Sequence, residues 1–72
     1  MTEDAQSVAS AARAHDPSLD QEAALALATR ALTLVDRSDS AELARALLAA
    51  DPGTDVSWIN AVATATVEHF SP

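Results

Sequence analysis

These 72 residues predict an all-α fold, a compact bundle of four short helices in a single domain spanning 1–72. Three observations carry that expectation. Eighteen residues are alanine, which has the best helix propensity. Apolar residues recur at three- and four-residue spacing over runs longer than a usual strand. Three turn-forming segments, Asp16-Pro17-Ser18, Arg37-Ser38-Asp39 and Asp51-Pro52-Gly53-Thr54-Asp55, divide the chain into four.

The first helix is expected over about 3–15. Val8, Ala5, Ala11 and Ala12 fall on one side of its wheel. One valine among alanines makes a thin stripe, so this helix is expected to dock weakly or fray. The second, over about 19–36, carries two adjacent rows: Leu25, Ala28, Leu32 and Val35, and beside them Leu27, Ala31 and Leu34. They cover roughly 200° of the wheel, wider than the stripe of a helix packed on one neighbour, which marks helix 2 as the central element. Two caps fit its start: Ser18 with Gln21, an S-x-x-Q box, or Asp16 followed by Pro17 at the first helical position.

The third helix is expected over about 40–51, opened by Asp39 and Glu42 as a capping box and stopped before Pro52-Gly53. Leu43, Ala46, Leu47 and Ala50 form its buried row, and Leu48 points elsewhere. The fourth, over about 56–70, follows Asp55 as N-cap. Ile59, Val62, Ala63, Thr66 and Phe70 share one face, with Val56 and Val67 on one flank and Trp58 on the other. The stretch from Ala61 to Val67 alternates and is rich in β-branched residues. A lone strand after three helices would have no partner, so helix is the reading. Short loops favour antiparallel neighbours, in an up-down bundle or an orthogonal variant of it, with helices 2 and 4 forming the core.

Charge and composition exclude several functions. Four Arg against seven Asp and four Glu leave −7 with no lysine, a balance that repels nucleic-acid backbones and anionic lipid. Basic protein surfaces are the electrostatically favoured partners. No cysteine is present, which removes disulfides, thiolate-bound metals and a thiol nucleophile. Acidic Met1-Thr2-Glu3-Asp4 lacks the apolar core of a signal peptide, and no apolar stretch approaches the length of a membrane span. A cytoplasmic location is therefore expected. Arginine without lysine, together with abundant alanine, points to a bacterial genome of high GC content.

Little in the sequence suggests catalysis. His15 and His69 are the candidate bases, and neither has a motif around it. In an up-down bundle they would sit at opposite ends. Each falls in a last turn, where an imidazolium favours the helix dipole. No Glu has a His three residues later, as di-iron bundles require. Gly53 is the only glycine, so a phosphate-cradling loop is absent. No catalytic, metal or cofactor-binding residue is assigned on these grounds, and the chain is expected not to be an enzyme.

Asp39-Ser40 opens a helix in a small, acidic chain of four helices, and in this it resembles acyl or peptidyl carrier proteins. The resemblance covers Asp39 to about Leu48 and, more loosely, Val56 to Phe70. It implies Ser40 as the attachment site of a phosphopantetheine arm. The chain departs from that pattern in having no Gly before Asp39, in Ala41 where carriers have Leu or Ile, and in helical patterning over 19–36 where carriers have a long loop. The reading the residues favour is a non-catalytic interaction module or accessory subunit, stabilised by a larger or basic protein partner or by its own oligomer. A small inhibitor of a basic protein, of the immunity or antitoxin kind, is the third possibility. Only sixteen large apolar side chains are available besides Met1, and a core this small rarely supplies more than about 3–5 kcal/mol. Leu48, Leu27 and Trp58 are the candidate interface residues. Trp58, the lone tryptophan, either covers one end of the bundle or anchors an interface.

Overall fold

The computed structural model describes residues 2–34 and 40–70. Four helices follow in order: α1 (Thr2–His15), α2 (Gln21–Leu32), α3 (Ser40–Ala50) and α4 (Val56–Phe70). No strand occurs among the described residues, and Ala61 to Val67 lie within α4. The all-α bundle is as expected.

Its centre is not. The helix that packs most extensively on its neighbours is α4; α2 packs chiefly on α1 and α4, and only lightly on α3. Accordingly α4 is buried on more than one face, with Ile59, Ala61, Val62, Ala63, Ala65 and Thr66 all inside. Ala61 and Ala65 let neighbouring backbones approach where larger side chains would hold them off. Thr66 is the one buried polar residue described, and its Oγ1 donates to the Val62 carbonyl at 2.8 Å, which satisfies the hydroxyl.

The expectation that α1 docks weakly or frays is corrected. Ala5, Val8, Ala9 and Ala12 are all buried, at helical spacing, and α1 packs extensively on both α2 and α4. Ala9 takes the place expected for Ala11, which is half-buried. Alanine loses no side-chain entropy on burial, so close approach across an alanine face holds the helix without large side chains.

In α2 the buried row is Ala24, Leu27, Ala28 and Ala31. Leu25, expected in the core, is 38% exposed, and Leu32 is only half-buried. The helix also begins and ends inside its expected bounds. Neither expected cap is used: Asp20 is the N-cap, its carboxylate accepting from the amides of Glu22 (3.2 Å) and Ala23 (3.4 Å). Leu19, expected in the helix, is a loop residue 1% exposed, and plugs the core from the turn before it. At the other end Thr33 Oγ1 donates to the Arg30 carbonyl at 2.6 Å, and Thr33 and Leu34 form a turn. Expected positions Val35 and Asp36 lie outside the described residues, as does Asp39 of the expected capping box.

Leu43, Ala44 and Leu47 are the buried residues of α3. Ala46 is half-buried and Ala50 exposed, because α3 meets the bundle mainly through α4, along a narrower face than the expected row. Asp55 caps α4 as expected, its Oδ1 accepting from the Ser57 amide at 3.1 Å and the Ser57 hydroxyl at 3.0 Å. No helix among the described residues is long and apolar enough to cross a membrane.

Candidate functional site

The α1–α2 turn reaches the first turn of α4, and the sequence places both beside aspartates. Asp16 Oδ1 accepts from the Ser18 amide at 3.1 Å and the Ser18 hydroxyl at 2.7 Å, an Asx turn that closes the loop. Trp58 Nε1 donates to Ser18 Oγ at 3.2 Å. A chain of bonds therefore runs from the indole through Ser18 to the Asp16 carboxylate. The Ser18 hydroxyl, foremost among the causes, holds the Asp16 carboxyl below the usual carboxylate range. Desolvation works against it, while the Ser18 amide and the Ser57 hydroxyl add to the lowering. Arg13 Nε donates to the Leu19 carbonyl at 3.2 Å and ties the same turn to α1.

Trp58 is thus half-buried, with its ring packed against the core and its one donor bonded. The ring covers an end of the bundle, and part of its outer surface stays open. Val56, two residues earlier, is 54% exposed. Leu48 is half-buried and packs partly against the core. Leu27 is corrected as an interface candidate, because it is 3% exposed and belongs to the core. Ser40 is the first residue of α3 and half-buried.

The two histidines are placed differently from the expected up-down arrangement. His15 Nε2 lies 3.0 Å from Glu68 Oε1, and His69 Nε2 lies 3.4 Å from Asp4 Oδ1. Glu68 and His69 are sequence neighbours, whereas Asp4 and His15 occupy the first and last turns of α1. The last turn of α4 therefore lies across α1 and is tied towards both of its ends. Sequence spacing carried no signal for these pairs, which join positions far apart along the chain. Exposed pairs of this kind contribute little, about 0–1 kcal/mol each.

Among the described residues no three His, Cys, Asp or Glu side chains converge into a set that could hold a metal ion. No buried side-chain polar atom there lacks a partner. No protein-family model matches the chain, and no curated protein or solved structure does.

Proposed function

We propose that this chain is a small acidic interaction module or accessory subunit, without catalysis of its own, that works in the bacterial cytoplasm by binding a larger or basic protein. One observation carries the reading: ten of the seventeen buried hydrophobic residues described are alanine. Helices packed through alanine bury little apolar area, so the margin over conformational entropy is small and an association partner adds to it. Leu48 and Trp58, partly open at the surface, are the side chains available to such a partner, and Val56 is exposed in the same first turn of α4. The net charge of −7 favours a partner of opposite sign. An inhibitor of a basic protein is one form this could take.

The test is thermal unfolding followed by far-UV circular dichroism over a hundredfold dilution. A melting temperature that falls on dilution supports self-association, and one that rises when the native partner is added supports the accessory role. Leu48→Glu should weaken that association more than it lowers helicity. A melting temperature that stays high and constant without any partner overturns the reading. Association driven by charge should also slow as salt is added, whereas salt-indifferent association points to an apolar interface.

A second reading, a carrier protein with Ser40 bearing phosphopantetheine, is supported by Ser40 opening α3. An Asp-Ser pair at a helix start is also ordinary capping chemistry.

A further inference from the structure

The outer seam between α1 and α2 is open along part of its length. Gln6, Ser10 and Arg13 follow one another along α1, Gln21 and Leu25 lie on α2, and Ala9, which is buried, lies between them at the seam. The groove encloses about 370 Å³, within the range of small-molecule sites, roughly 300–1,000 Å³.

Its chemistry is selective. Arg13 spends Nε on the Leu19 carbonyl, and its terminal nitrogens have no partner among the described residues. The bond to Leu19 fixes the guanidinium, so less side-chain freedom is lost when its open edge takes a ligand. Neither the side-chain amides of Gln6 and Gln21 nor the Ser10 hydroxyl has a partner among the described residues. Among the described residues no carboxylate lines the groove, although the chain as a whole carries −7. Leu25 contributes an apolar wall, and its 38% exposure leaves a surface for an apolar group to cover.

From this juxtaposition we propose that the groove binds a single carboxylate carried on a short apolar chain. The guanidinium takes the carboxylate through paired N–H donors. The amides and hydroxyl complete its hydrogen bonds, and Leu25 and Ala9 cover the chain. A monoanion is favoured over phosphate or a dicarboxylate because one guanidinium meets one charge, and the surrounding negative field penalises a second. That chemistry has two sources: a free short-chain acid, or the terminal carboxylate of a peptide ending in an apolar residue. The proposal stands independently of the accessory role.

The experiment is amide-resolved NMR titration of the full chain with four probes. These are 4-methylpentanoate, its neutral amide, the peptide Gly-Ser-Gly-Val-Leu with a free carboxylate, and the same peptide amidated. Saturable shifts confined to Gln6, Ser10, Arg13, Gln21 and Leu25 are expected, with the acid binding about tenfold or more tightly than the amide. Shifts from 4-methylpentanoate assign a free acid; shifts from the peptide acid alone assign a chain terminus. Arg13→Gln should abolish binding. Because that change also cuts the bond to Leu19, Leu25→Ser is the companion variant, expected to keep the fold and weaken binding about tenfold. Equal response to acid and amide, shifts centred elsewhere, an unaffected Leu25→Ser, or no response to any probe overturns the proposal.

Discussion

Leu25 and Leu27 are two residues apart on α2 and lose the same atoms when changed to alanine, so the pair isolates burial as a variable. Leu27 is 3% exposed among the alanines of the α1–α2–α4 core, and Leu25 is 38% exposed on the rim of a groove. Helix propensity separates leucine from alanine only slightly, and by the same amount at both positions. Leu27→Ala removes a core side chain and leaves a cavity, at a cost of about 2–5 kcal/mol. A core of this size rarely supplies more than about 3–5 kcal/mol in total. Leu27→Ala should therefore lose most or all of its cooperative unfolding transition at room temperature. Leu25→Ala gives up only part of a side chain's burial without opening a core cavity, and should cost about 0.5–1 kcal/mol. Urea titrations followed by far-UV circular dichroism, at one fixed protein concentration, read both. Equal midpoint shifts, or a larger loss for Leu25→Ala, would refute the assignment of the buried face of α2.

Asp20→Ala should cost about 0.5–2 kcal/mol as a lost N-cap, while Gln21→Ala should cost much less, in contrast to an S-x-x-Q box; urea midpoints distinguish them. The Asp16 carboxyl is depressed in the folded state, so its contribution is fully present above the ordinary carboxylate range and is lost as pH falls through that range and below it. Asp16→Asn should accordingly flatten the acid limb of a stability-against-pH curve, and an unchanged limb would remove Asp16 from the account. Co-expression with a promiscuous phosphopantetheinyl transferase should leave the intact mass unchanged, and a mass increase abolished by Ser40→Ala would replace the accessory reading with the carrier one. Glu68→Gln with Asp4→Asn should lower stability by no more than about 1–2 kcal/mol, since both His–carboxylate pairs are solvent-exposed; a larger loss in a thermal melt would make the α1–α4 ties structural anchors.

The number of helices and most of their limits follow from chemistry that acts within one turn. Pro17 and Pro52-Gly53 interrupt helical hydrogen bonding locally, and Asp55 caps the residues immediately after it. Leu43 and Leu47, and Ile59 and Val62, are large enough for their spacing alone to mark an inward face. Alanine does not announce its face in this way. It is tolerated on either side of a helix, so a wheel crowded with it left the burial of Ala9, Ala44, Ala61 and Ala65 open, and with it the central place of α4. Several short acceptors also competed at the start of α2. Asp16, Ser18 and Asp20 each fit local capping rules, and the choice of Asp20 goes with the burial of Leu19 just before it, while Ser18 donates to Asp16 and accepts from the tryptophan of α4. The His15–Glu68 and His69–Asp4 pairs depend on how α4 crosses α1. That angle is set by how closely small side chains let two backbones approach, a property of paired surfaces that no single helix contains.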